Sequence, residues 1–175
     1  MPRAATSKGK AEGFKINASM ARTMAEQRWG HGGTWPHKVN RPGAFYFSCS
    51  GHGGYIVDAA ALTPEERAEV EQYIKPEMVQ ILVQAGEVLA VVGPDRMTAK
   101  RVQVNPAKGP SDWLDHPVFY FEEDCDWSIL ESYTGIISAP AAGLKAEDPD
   151  EYHRQRNAAC RYHLEPNFWE KQAAA

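Results

Sequence analysis

Cysteine is scarce in this chain of 175 residues, and the little there is forms no pattern: Cys49, Cys125 and Cys160 are odd in number, widely spaced and never in a Cys-x-x-Cys pair. That speaks against a disulfide framework and against the usual four-ligand structural zinc site. Long apolar runs are also missing. None approaches the roughly 18 to 20 residues that would cross a bilayer, and the N-terminus lacks the charged-then-apolar layout of a secretory signal. P-loop, Rossmann, HExxH and GxSxG patterns are absent, so nucleotide hydrolysis of the common kinds has no support. No repeat of about 20–50 residues implies a solenoid. The chain reads as cytoplasmic, with no membrane partner.

Hydrophobic residues make up 43% and charged residues 24%, close to globular averages. At this length one core suffices. The net charge of −4 is unevenly placed. Residues 1–42 hold eight Lys and Arg against two Glu, a net +6, and the remainder is net −10. Residues 1–15 read as a flexible basic arm, 16–165 as one domain and 166–175 as a tail whose Phe168 and Trp169 dock on the body. Such asymmetry suits either a solvated tail or an arm that reaches nucleic acid or an acidic partner.

Asn17 caps a helix over 18–28 that Gly30 stops. Ala44–Ser48 and Tyr55–Val57 are β-prone and flank a glycine turn, which predicts an antiparallel hairpin. Thr63-Pro64-Glu65-Glu66 is a capping box opening a helix that Pro76 limits. Met78, Ile81, Leu82 and Ala85 fall at helical spacing, predicting a helix that ends at Gly86. Val88–Val92 and Thr98–Val104 read as a hairpin, 105–117 as loop, and Val118–Phe121 as a short buried strand. A helix is predicted over 122–133 with carboxylates in its first turn, loop over 135–147, and a last helix from a second capping box at Asp148-Pro149-Asp150-Glu151 to about His163. The sum is an α+β single domain: about five short strands, mostly antiparallel, with packed helices.

Two stretches carry chemistry. Gly-His-Gly-Gly occurs at 30–33 and again at 51–54. Adjacent glycines let backbone approach a ligand, so Gly51, Gly53 and Gly54 are candidate binding residues. His52, fixed between strands, offers a proton near neutral pH or a ring nitrogen to a metal. The plain alternative is a tight turn with an incidental histidine. The second stretch is Glu122-Glu123-Asp124-Cys125-Asp126-Trp127. Four carboxylates in five residues repel one another, and general acid/base work or a hard-cation site such as Mg²⁺ would exploit them. An acid-rich helix start would equally explain them. Cys49, His52 and Cys125 are a weak zinc pattern, and acidic neighbours disfavour Cys125 as a nucleophile. In the last helix Arg154 and Arg161 share a face that could grip phosphate or an acidic surface, or simply be solvated.

The Ser50-Gly51-His52-Gly53-Gly54 turn, the later Glu-Glu-Asp-Cys-Asp-Trp segment and an early Trp29-Gly30 together resemble an uncharacterised domain family of bacterial phages and plasmids. The resemblance spans residues 29 to 137. It departs at Gly51, which separates Ser50 from His52. It implies a mobile-element setting and a host-facing role, including counter-defence, without implying a reaction. Three functions follow. The first is an accessory protein that binds a host protein or nucleic-acid machine, with Trp127, Arg154 and Arg161 among its contacts. The second is a metal-assisted hydrolase or transferase, with His52 as acid/base and Glu122, Glu123, Asp124 or Asp126 as base or ligands. In the third, His52 and an acidic side chain form a structural clasp.

Overall fold

The computed structural model describes residues 14–30, 34–50, 52–93, 104–124 and 126–160. Helix α1 (Ala18–Trp29) starts at Asn17, whose side chain accepts from the Met20 N–H, and ends at Gly30. Three strands follow, β1 (Trp35–His37), β2 (Ala44–Ser48) and β3 (Gly53–Asp58). Then come α2 (Pro64–Val70), β4 (Glu77–Gln84), β5 (Glu87–Val92) and the long β6 (Ser111–Glu122). Three helices close the described chain: α3 (Trp127–Thr134), α4 (Ala139–Glu147) and α5 (Pro149–Cys160).

The six strands form one antiparallel sheet in the order β1-β2-β3-β6-β4-β5, so β6 is inserted between β3 and β4. The α+β expectation holds, with one strand more than expected among the described residues. Because successive side chains in a strand alternate faces, β2, β3 and β6 feed two cores. On one face Phe47, Ile56, Val79, Ile81 and Val118 pack against Met20 and Met24 of α1. On the other, Tyr55, Val57, Phe119 and Phe121 pack with Val70, Leu130 and Ile136.

Three expectations are overturned. The helix predicted from Met78, Ile81, Leu82 and Ala85 is β4, in which Val79, Ile81 and Val83 alternate onto the α1 face. The apolar run fitted both periods, and its β-branched residues favour the strand. The loop predicted over 105–117 is largely the first half of β6. Pro117 is tolerated there because the β3 ladder begins only at Val118, leaving β6 one unpaired edge at the proline. The loop predicted over 135–147 contains α4, capped by Ser138 with a proline in its first turn. The partner of β5 is β4, joined through a two-residue turn at Ala85-Gly86. The expected partner strand at 98–104 lies almost wholly outside the described residues.

At the N-terminal end, Phe14 lies edge-on to His116 with ring centroids 5.3 Å apart, and the Ile16 N–H donates to Asp58 Oδ2 at 2.9 Å. Asp58 and His116 are both buried and hydrogen-bonded to each other at 3.0 Å. Residues 1–13 of the basic arm, and Phe168 and Trp169 of the tail, lie outside the described residues. Among the described residues no helix is long and apolar enough to cross a membrane.

Candidate functional site

The glycine corner and the acidic segment are neighbours because β3 pairs with β6. Gly54 sits opposite Glu122, and the Glu123 N–H donates to the Gly53 carbonyl at 3.0 Å. The glycines are there for space. A Cβ on Gly53 would sit 2.5 Å from Glu123 Oε2 and 2.6 Å from the Phe47 carbonyl oxygen, and one on Gly54 would run into the Phe121 carbonyl and the Trp29 ring. Their role is close approach of backbone to a strand, an indole and a carboxylate.

The acidic segment is not one cluster. Strand alternation sends Glu122 to the α1 face, where Oε2 accepts from Trp29 Nε1 at 2.8 Å and Oε1 lies 3.6 Å from Arg28 Nε. Arg28 also reaches Glu77 at 3.2 Å and lies over the Tyr120 ring. Asp126 folds back, its Oδ2 accepting from the Glu122 N–H at 3.1 Å. It ties off the turn between β6 and α3, and α3 has no acidic residue in its first turn. The expected helix-start role for these carboxylates is therefore corrected: they precede the helix. Asp124 is exposed.

Glu123 emerges on the opposite face. Its Oε2 accepts from the Tyr46 hydroxyl at 3.1 Å. Burial raises the Glu123 carboxyl above the usual range; the Tyr46 hydrogen bond and the His52 charge pull it down, while Asp124 and Glu122 push it up. His52 is thus electrostatically coupled to Glu123, although its exposed imidazole has no hydrogen-bond partner among the described residues. Tyr46 is held far above the ordinary phenol range by burial and by Glu123, so it stays a neutral donor.

Beside Glu123 lies a partly open cavity of about 230 Å³ between the end of the sheet and helices α3, α4 and α5. Tyr46, Tyr55, Trp127, Leu144 and Tyr152 line it with Glu123. The Tyr55 hydroxyl accepts from the Ser138 N–H at 2.9 Å, which fixes the start of α4 against the sheet. Lys145 of α4 meets Glu131 of α3 at 3.1 Å.

Of the residues singled out from sequence, Gly53, Gly54, Glu122, Glu123, Asp126 and Trp127 gather at this end of the sheet, with His52 at its rim. Arg154 stands apart on α5, exposed and held by both oxygens of Glu151. Gly51, Cys125 and Arg161 lie outside the described residues. Tyr46, Tyr55 and Tyr152 were missed. The alternation in Ala44–Ser48 marks Tyr46 as facing opposite Phe47, but only the tertiary packing brings Tyr152 to it. Among the described residues no three or more His, Cys, Asp and Glu side chains are placed to hold a metal ion.

The fold and the site together define a single α+β domain with an aromatic, carboxylate-bearing pocket at one end of an antiparallel sheet. No protein-family model, curated protein or solved structure matches this chain.

Proposed function

We propose that this is an accessory protein of phage or plasmid type that acts by binding a host protein or nucleic-acid machine, in a role that includes counter-defence. The observation that carries the reading is how the acidic segment is used. Glu122 and Asp126 are engaged in holding Trp29, Arg28 and the β6–α3 turn. What remains open is a concavity of aromatic rings around one carboxylate, an arrangement suited to recognition. The acidic body and the basic first 42 residues add charge steering toward partners of either sign. Nucleic acid would be met by the basic arm.

The test is affinity capture from host lysate followed by mass spectrometry, with the Trp127→Ala variant alongside. A stoichiometric partner retained by the wild-type chain and lost by the variant is expected. No such partner, together with turnover of a small molecule, would overturn the reading.

A second reading is a hydrolase or transferase with His52 as acid/base and Glu123 as its base, with or without a metal ion such as Mg²⁺ or Zn²⁺; its support is that Gly53, next to His52 in the chain, accepts the Glu123 N–H at 3.0 Å. His52→Ala and Glu123→Gln would then each abolish turnover with folding intact. The clasp reading, a hydrogen bond from His52 to an acidic side chain, has no such bond behind it among the described residues, where the exposed imidazole has no partner.

A further inference from the structure

Two tilted pairs of aromatic rings meet at the pocket. Tyr46 and Tyr55 have centroids 4.8 Å apart at 49°, and Trp127 and Tyr152 have centroids 5.9 Å apart at 57°. Tilted rings keep parts of their π faces available, and such a face attracts a cation. Among the described residues Glu123 is the only ionisable carboxylate or base lining the cavity apart from the phenols. Among the described residues it has no Lys or Arg at ion-pair distance, in contrast to Glu122 next to it.

These groups select against most ligands. An anion would be repelled by Glu123, and a neutral ligand would leave its charge unanswered. A bare inorganic cation would find a single carboxylate where hard cations take about six oxygens. About 230 Å³ holds a small head group and a few carbons, below the roughly 300–1,000 Å³ of sites for drug-sized ligands. We infer that the pocket binds an alkylammonium group, its charge between Glu123 and the rings of Tyr46, Tyr55 and Trp127 and its carbon chain against Leu144. The ammonium belongs either to a free amine or to a lysine side chain of a partner. Lys145 and Arg156 already lie 5.2 and 6.0 Å from the centre of the Tyr152 ring, so Tyr46, Tyr55 and Trp127 are the discriminating rings. This inference deepens the binding reading by naming the chemistry its pocket recognises.

The experiment is an NMR titration of the full chain that follows the Trp127 indole N–H, identified by its loss in Trp127→Phe. The probes are n-butylammonium chloride, its neutral analogue n-butanol, and Nα-acetyl-lysine methylamide. At least one of the two cations is expected to bind at least about tenfold more tightly than the alcohol. Glu123→Gln should weaken the cations by about tenfold and leave the alcohol unchanged. Binding of the lysine amide supports a partner's side chain as the source; binding of butylammonium alone supports a free amine. Equal binding of alcohol and cations to the wild-type chain, or no shift with either cation, overturns the inference. If both cations fail while the captured host partner persists in Trp127→Ala, the pocket assignment falls and a binding function elsewhere on the surface stands. If a cation binds but no partner is captured, the pocket stands and the host-machine reading falls.

Discussion

Glu122 and Glu123 are adjacent in sequence, yet β6 sends them to opposite faces of the sheet, and their surroundings set opposite demands. Glu122 has a donor in Trp29 and a cation in Arg28. Glu122→Gln should therefore cost about 1 kcal/mol, read as a lower urea midpoint at neutral pH. Glu123 has its folded pKa raised, chiefly by burial, so the ionised form is disfavoured by folding. That penalty is fully present above its folded pKa and disappears as the pH falls below the ordinary glutamate value of about 4.3. Glu123→Gln, which can still accept from Tyr46, should leave the urea midpoint at pH 7 equal or higher by a few tenths of a kcal/mol, the effect being small because the group is partly solvated. Asp58 behaves the other way. Burial raises its pKa, but hydrogen bonds from His116, Ile16 and Ala60 outweigh that and lower it. Its stabilisation is thus complete above the unfolded value of about 3.9 and is lost as the pH falls through the lower folded pKa. Asp58→Asn should flatten this acid limb in urea titrations across that window.

At the scale of elements, two turns make contrasting demands. In the β4–β5 hairpin Ala85 has φ of 51° and Gly86 φ of 79°, the left-handed pair that a two-residue hairpin turn requires. Alanine is strained there, so Ala85→Asn should raise stability by about 0.5–1 kcal/mol in chemical denaturation. At the start of β3 the constraint is contact. Gly54→Ala forces a methyl group into the Phe121 carbonyl and the Trp29 ring and should cost about 3 kcal/mol, seen as a drop in Tm. The same scale shows where sequence patterns mislead. The cap of α1 and the capping box of α2 are local, since Asn17 and Thr63 bond to amides three residues on, and both were legible. The identity of β4 was not, because its apolar spacing fits a helix until β6 supplies the neighbour that makes it a strand.

For the whole molecule, inserting β6 between β3 and β4 joins segments that are far apart in sequence. This pairing sets the glycine corner against the acidic segment and leaves α3, α4 and α5 to build the far wall of the pocket. The opposed charges of the first 42 residues and the remainder belong to this scale too. Partner affinity should fall by about tenfold or more between about 50 and 200 mM salt if the basic arm contacts nucleic acid, measured as the salt dependence of Kd.

Composition, capping residues and alternation are properties of short stretches of chain, and by themselves they determined that this protein is an α+β domain with a β2–β3 hairpin at the glycine corner, although Gly53 and Gly54 belong to β3, paired with Ser48 and Phe47, and not to the turn. They also marked the segment from Glu122 to Trp127 as unusual. The direction of each carboxylate, the partner of Glu123 and the meeting of Tyr46 with Trp127 and Tyr152 were decided only by the tertiary structure. The physical reason is that a strand's hydrogen bonds and a pocket's walls come from residues distant in the chain, and local propensity carries no information about which distant segment arrives.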